Sequence, residues 1–177
     1  MNSRDVLVAV GAAALLLAGT VAWHWWTHPT AFSDLGDSFR SDPLPLAKAP
    51  LSTTVIFPKV GGSAESIEIN DLDATFSANT AKARATFWVC HMGANEDPIG
   101  AVHDPAATCG DIEAFLPPME FNHGIAPNSD YLFVTITPTR RGTAYLESVD
   151  IDYQRSGSHG FQRGTQTLLV DRRITAR

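Results

Sequence analysis

Positive charge is scarce in this sequence, and what there is lies scattered. The chain carries 13 Lys or Arg residues against 19 Asp or Glu, which gives a formal net charge of -6. No run of five like charges occurs anywhere in it. Because nucleic-acid binding needs a concentrated cationic surface, we exclude nucleic acid as a partner.

Charge is entirely absent from Val6 to Ala22, and an aromatic sequence extends this apolar stretch to Trp26. A helix of these 21 residues would be about 31 Å long, close to the roughly 30 Å of a bilayer core. Arg4 precedes the stretch and the next Lys or Arg is Arg40, so the positive-inside rule places the N-terminus in the cytoplasm. Residues 1–26 are therefore predicted to form a cytoplasmic stub and one transmembrane helix of a single-pass cytoplasmic membrane protein, with the remainder outside.

A cleaved secretory signal is the competing interpretation of the same segment. Arg4 would then be its positively charged start, and the small residues at Thr20 to Ala22 would form an acceptable cleavage site. The length of the apolar stretch favours an uncleaved anchor, as do the tryptophans that follow it at the level of the outer headgroups. In this interpretation the membrane is a partner through Val6 to Trp26.

Residues 27–50 show neither helical nor alternating periodicity. They contain several prolines among Asp, Ser and Thr residues: Pro29, Pro43, Pro45 and Pro50. This composition predicts a partly extended linker. The exported domain is accordingly predicted to span residues 51–177.

From residue 51 onward, no window keeps the apolar period of a helix over three turns. Short β-rich runs alternate with turn residues instead. The runs are Thr53 to Phe57, Ser66 to Phe76, Ala83 to Cys90, Tyr131 to Thr137, Ala144 to Tyr153 and Gln166 to Val170. Leu132, Val134 and Ile136 share one face of the fourth run. The domain is therefore predicted to be an all-β sandwich.

The final third contains YLFVTITPTRRGTAYLESVDIDYQ followed by GFQRGTQTLLV. It resembles the end of bacterial, especially actinobacterial-type, membrane-anchored immunoglobulin-like domains. The shared pattern is a strand, a Pro-turn-Gly, a second strand, a tight turn and a closing strand, and it covers roughly residues 130–171. The resemblance implies an immunoglobulin-like β-sandwich in the cell envelope. That family is functionally uncharacterised, so it implies no catalytic or binding residue.

Cysteine is rare, since Cys90 and Cys109 are the only two. In an exported domain, two cysteines favour one disulfide, worth about 3 kcal/mol for a ring of this length in the loop-entropy model. Antibody-type sandwiches join their two sheets through cysteines far apart in sequence. Cys90 and Cys109 are close in sequence, so their disulfide is expected to close one loop instead of joining the sheets. Trp88 is expected on the same strand face as Cys90.

Soft and borderline metal ligands surround the first cysteine. Cys90, His91 and Met92 are contiguous, and His103 and Cys109 follow; such side chains suit copper or zinc. Adjacent residues of a strand point to opposite faces, so Cys90 and His91 are poorly placed to bind one ion. We expect no cofactor, and keep an exported copper- or zinc-handling protein as an alternative.

Catalytic motifs give no support for an enzyme. Ser156, Ser158 and His159 share one turn, but the sequence has no nucleophile elbow. The predicted function is a non-enzymatic envelope protein that presents an immunoglobulin-like domain to another envelope protein or polymer. A hydrolase without a recognisable motif is a further alternative.

The longest connection between the predicted strands runs from His91 to Asp130. Long loops on a rigid scaffold often carry function. This one contains apolar side chains that must pack on the sandwich or face a partner: Phe115, Leu116, Met119 and Phe121. We predict that Phe115 to Ile125 forms the most apolar exposed patch of the domain and a partner surface; packing of these side chains onto the core is the alternative.

Overall fold

The computed structural model describes residues 3–27, 30–32, 39–58, 63–91, 100–124, 129–157 and 161–177. Within them the chain forms an N-terminal helix, α1 (Ser3–Thr27), short 3-10 helices over Leu46–Lys48 and Pro105–Ala107, and ten strands. The strands are β1 (Phe39–Arg40), β2 (Leu51–Ile56), β3 (Glu65–Asn79), β4 (Arg84–His91), β5 (Ala101–Val102), β6 (Ile112–Ala114), β7 (Met119–His123), β8 (Asp130–Thr137), β9 (Gly142–Arg155) and β10 (Arg163–Ala176).

Helix α1 contains the charge-free segment, whose alanines and leucines are strong helix formers. A helix over Val6 to Trp26 is thus confirmed. In the described part of the chain, no helix is long and apolar enough to cross a membrane. The predicted transmembrane helix is therefore found as a helix but not as a membrane span.

The strands build two five-stranded sheets. The first sheet has the order β1-β10-β9-β3-β7 and the second the order β5-β2-β8-β4-β6. Neighbouring strands are antiparallel, apart from the short parallel pair of β1 and β10. All six predicted strands are present as the six longest ones, β2, β3, β4, β8, β9 and β10.

The main core lies between the two sheets. Leu132, Val134 and Ile136 of β8 are fully buried, and they belong to the same apolar cluster as Val149 and Ile151 of β9 in the other sheet. Side chains of both sheets therefore share one core, as in a sandwich of two packed sheets. The predicted all-β sandwich, including its core face of β8, is confirmed.

Part of the predicted linker belongs to this core. Phe32 is buried edge-to-face against Phe121 and Tyr153, with ring centroids 6.4 and 5.6 Å away. The side chain of Gln166 accepts hydrogen bonds from the backbone N–H groups of Ala31 and Phe32, and it donates one to the carbonyl of Phe32. The first sheet therefore contacts both the backbone of residues 31–32 and the side chain of Phe32.

The later part of the same stretch also packs on the sandwich. β1 pairs with β10, and Leu44 bridges to Ala176 further along that strand. Ala49 is buried as well. Residues before position 51 therefore also pack on the sandwich. Single apolar residues among prolines give no periodic signal, although they can fill a core.

One end of the sandwich is closed by two turns in contact. The N–H groups of Thr139 and Arg140, after β8, both donate to the carbonyl of Ala81 between β3 and β4, at 3.2 Å. Gly142 has φ of 147°, and a Cβ there would lie 2.9 Å from the backbone of Thr80. Only glycine allows this approach without strain, so Gly142 permits the two turns to pack closely.

Candidate interaction site

Strand β3 is longer than its neighbour on one side. It pairs with β9 along most of its length, but with β7 only from Glu65 to Ile69. Within the described residues, 71–79 have no second strand partner. The N–H of Leu72 is satisfied instead by the side chain of Asp71, at 2.9 Å. β3 therefore presents an exposed strand edge to solvent.

Strand β4 of the facing sheet is open at the same end. β6 pairs with it only from Trp88 to Cys90, and Phe115 adds one backbone hydrogen bond, donated to the carbonyl of Phe87 at 3.0 Å. On that edge, residues 84–86 have no partner in the part of the chain that the structure describes. Because a short turn joins β3 to β4, the two open edges lie on one side of the sandwich, which we call the open side.

Half-buried apolar side chains line the open side. Seven such residues pack against the main core from its margin: Leu72, Ala74, Phe76, Ala85, Phe87, Phe115 and Met119. They lie on β3, on β4, and on the segment that crosses between the sheets, apart from Met119, which begins β7. Leu116 of the crossing segment is 72% exposed. The open side therefore combines accessible backbone with apolar surface.

The structure corrects the predicted partner surface. Phe121 is fully buried in the main core, where it cannot meet a partner. Phe115 and Met119 are half-buried against that core, and only Leu116 is largely exposed; Ile125 lies outside the described residues. The alternative was that these side chains pack onto the sandwich. Phe121 does so completely, and Phe115 and Met119 do so in part.

The connection from His91 to Asp130 is not one long loop either. It contains the three strands β5, β6 and β7 and one 3-10 helix. These strands have two, three and five residues, which is too short for alternation to be recognised in the sequence. The segment predicted as a loop therefore contributes edge strands to both sheets.

Carboxylates crowd the outer face of the first sheet beside the open side. Three pairs of acidic residues are directly opposite each other on neighbouring strands: Glu68 and Glu120, Asp71 and Asp152, Asp73 and Asp150. In the described residues none of the six forms an ion pair. Like charges directly opposite each other destabilise a sheet. We call these six residues the acidic face.

The predicted disulfide joins Cys90 to Cys109, with a Cα–Cα distance of 5.9 Å. Both cysteines are buried, together with Tyr131 and Phe133, in a second apolar cluster. Trp88 packs against this cluster from the same strand face, as expected. Since Tyr131 and Phe133 alternate along β8 with residues of the main core, the second cluster covers the outer face of the second sheet.

The metal alternative includes both cysteines of the disulfide. Two of its five ligands, Cys90 and Cys109, have their sulfurs bonded to each other. His103 contacts the carbonyl of Pro50 through Nδ1 at 3.0 Å, and Met92 lies outside the described residues. In the described ranges, no group of three or more His, Cys, Asp or Glu side chains is arranged to hold a metal.

His91 lies between two carboxylates. Its Nδ1 is 2.7 Å from Oδ1 of Asp130, and its Nε2 is 2.9 Å from Oε1 of Glu113. The second oxygen of Asp130 accepts the N–H of Asn122 at 2.7 Å. Partial burial lowers the pKa of His91, but hydrogen bonds and charges of Glu113 and Asp130 outweigh it, so the pKa is raised. When His91 is protonated, both ring nitrogens donate, and the arrangement links β4, β6, β7 and β8.

A catalytic role needs a ring nitrogen that can take a proton from a nucleophile. In His91 both are engaged by carboxylates. Of the three residues that suggested a hydrolase, only Ser156 is described, and its N–H donates to the carbonyl of Ser66; Ser158 and His159 lie outside the described residues. The geometry of His91 is that of a structural link.

Raising the pH is expected to weaken the fold through His91. Its pKa in the folded protein lies above the ordinary value of 6.5, so the folded state holds this proton more tightly than the unfolded chain does. The stabilisation is complete below pH 6.5 and is lost as the pH rises through the higher folded-state pKa. Urea denaturation across this window should show midpoints that fall with pH, and His91→Gln should remove that contribution.

Glu113→Gln is the matched control for this prediction. It removes the carboxylate from one ring nitrogen and keeps Asp130 at the other. We expect a pH dependence between those of the wild type and His91→Gln. An identical pH profile in all three proteins would show that the proton of His91 does not stabilise the fold.

Comparison with models of protein families, with curated proteins and with solved structures finds no match to this chain.

Proposed function

We propose that this protein is a non-enzymatic module of the bacterial cell envelope, in which α1 attaches the sandwich to a membrane and the open side binds a partner. The surface of α1 carries the proposal. Leu15, Leu16 and Leu17 are 76%, 72% and 67% exposed. Because consecutive residues of a helix point in different directions, apolar side chains cover several sides of α1.

The apolar surface of α1 continues to its C-terminal end, where Val21, Trp23 and Trp26 are exposed too. Large contiguous apolar patches mark protein or membrane interaction sites, and tryptophan is favoured at the membrane interface. The ring of Trp26 also contacts Phe161 of the sandwich, with centroids 5.8 Å apart. A lipid environment supplies the apolar surroundings that such a helix needs.

Export of the sandwich is supported by the disulfide. Disulfide bonds persist in oxidising compartments and are rare in the cytosol. The buried Cys90–Cys109 bridge therefore favours a sandwich outside the cytoplasmic membrane. The resemblance over residues 130–171 to exported immunoglobulin-like domains favours the same location. Two packed sheets are compatible with an immunoglobulin-like sandwich.

Binding of another envelope protein or a polymer is the role we propose for the sandwich. Its open side exposes the backbone of β3 next to half-buried apolar side chains such as Leu72 and Phe76. An unpaired edge of this kind is a ready site for association. Sandwich folds host many functions, so the proposal rests on this edge rather than on the fold.

Cell fractionation tests the attachment. The intact protein should stay with the membranes through a high-salt wash, which removes proteins held by charge alone, and protease added outside the cells should reach the sandwich. Leu16→Lys combined with Leu17→Lys should release the protein. The matched pair Thr165→Lys and Leu169→Lys, at exposed positions of β10, should not.

Two results would overturn this proposal. One is wild-type protein found in the soluble fraction. The other is a mature N-terminus at Trp23 instead of Met1 or Asn2, since cleavage would remove most of the apolar surface of α1.

A further inference from the structure

We infer that the open edge of β3 accepts an extended, basic strand of a partner protein, which pairs with residues 71–79 and continues the first sheet. The inference rests on the proposed function, since it names the class of partner that the module binds. Strand addition is a general mode of peptide recognition. The backbone hydrogen bonds give affinity, and contacts to alternate side chains give specificity.

This edge is longer than each of the four strands that end the two sheets. β1, β5, β6 and β7 have two, two, three and five residues, and short edge strands are a common way to prevent unwanted pairing. Residues 71–79 of β3 offer instead about 30 Å of backbone. Such an edge can hold a whole additional strand.

The inward side chains at this edge would be covered by an added strand. Leu72, Ala74 and Phe76 face the core, where they remain half-buried. Ala85 and Phe87 of β4 are half-buried on the facing sheet. Alternate side chains of a strand beside β3 point to the same side as these residues, so apolar residues in the partner would complete this margin of the core.

The outward side chains determine the charge of the partner. Asp71 and Asp73 of β3 directly face Asp152 and Asp150 of β9, and these like charges repel. Lysine or arginine on the outward face of an added strand would relieve that repulsion. A second copy of this chain is a poor occupant, because residues 71–79 contain no Lys or Arg and so bring no positive charge to Asp71 and Asp73. The occupant is therefore a strand that alternates apolar and basic residues.

Binding is tested with short peptides and the full chain in lipid nanodiscs. The probe is a nine-residue peptide that alternates Lys and Val. Its controls are a peptide that alternates Glu and Val, and a peptide with the Lys and Val residues of the probe in two blocks. Fluorescence anisotropy should show binding of the alternating Lys/Val peptide only. Hydrogen exchange should slow within residues 71–79 on binding.

Charge reversal tests the acidic face. Asp71→Lys combined with Asp73→Lys removes two like-charge pairs, so no loss of folded stability is expected. Since like-charge juxtaposition across an interface costs several kcal/mol, binding of the Lys/Val peptide should weaken at least about tenfold, and the Glu/Val peptide should now bind. Asp42→Lys combined with Asp111→Lys makes the same change in net charge at exposed residues outside the open side, and should leave binding within about twofold.

Three results would each overturn the inference. These are binding without slower exchange at residues 71–79, equal binding of the block peptide, and no binding of the Lys/Val peptide. A chain that stays at the membrane and fails these tests loses only the strand-addition inference. A soluble chain that binds the Lys/Val peptide along residues 71–79 loses only the membrane attachment.

Discussion

Replacement of Ile136 by aspartate is expected to destabilise the sandwich by at least about 4 kcal/mol. Ile136 is fully buried in the main core, opposite Leu51 on β2 and Ala85 on β4. The substitution removes a buried aliphatic side chain and places a carboxylate in an apolar cluster. Since domains of this size are stable by only about 5–15 kcal/mol, much of the variant should be unfolded, as measured by circular dichroism and urea denaturation.

Two further variants keep this prediction measurable. Ile136→Val should fold and lose only about 0.5–1.5 kcal/mol. Thr86→Asp places the same carboxylate on an exposed position of the neighbouring β4, where we expect a cost of about 1 kcal/mol or less. If Ile136→Asp were as stable as Thr86→Asp, the core face of β8 would be assigned incorrectly.

Replacement of Phe32 by alanine should cost about 3–5 kcal/mol, as for other buried aromatic residues. Phe32 precedes the strands in a proline-containing segment, yet it is only 2% exposed. It packs against Phe121, Tyr153 and, with centroids 5.3 Å apart, His123. The loss would leave a cavity bordered by three aromatic rings, and a lower urea midpoint would report it.

Phe39→Ala is the matched control in the same N-terminal segment. Phe39 is exposed on β1, and the guanidinium of Arg172 lies 6.0 Å from its ring centroid. An exposed cation–π contact contributes about 0.5–1 kcal/mol, so the control should lose no more than that. Equal effects of the two substitutions would mean that residues 30–32 do not belong to the folded core.

The long strands were predictable because their signal is local. Alternation of apolar and polar residues along each strand reports which side chains face the core, and Leu132, Val134 and Ile136 are buried as that alternation indicates. The disulfide was predictable for another reason, since Cys90 and Cys109 have no competing partner in the sequence. Phe32 was missed because one aromatic residue among polar ones forms no period.

The candidate site was visible only in fragments. Two short Asp-apolar-Asp patterns, Asp71 to Asp73 and Asp150 to Asp152, are evident in the sequence, but nothing there shows that they face each other across two strands. His91 likewise meets Asp130, 39 positions away. Of the predicted partner residues, Phe121 lies in the core. The reason is that the predicted loop contains β7, which pairs with β3 at the edge of the first sheet.

By itself, the sequence determined the apolar helix, the six long strands, the core face of β8 and the single disulfide. The tertiary structure alone decided which strands are neighbours, how far β7 extends along β3, and therefore where an edge stays open beside an acidic face. The physical reason is that alternation specifies the face of a strand but not its neighbour. Pairing is a non-local choice, set by the packing of two sheets around a common core.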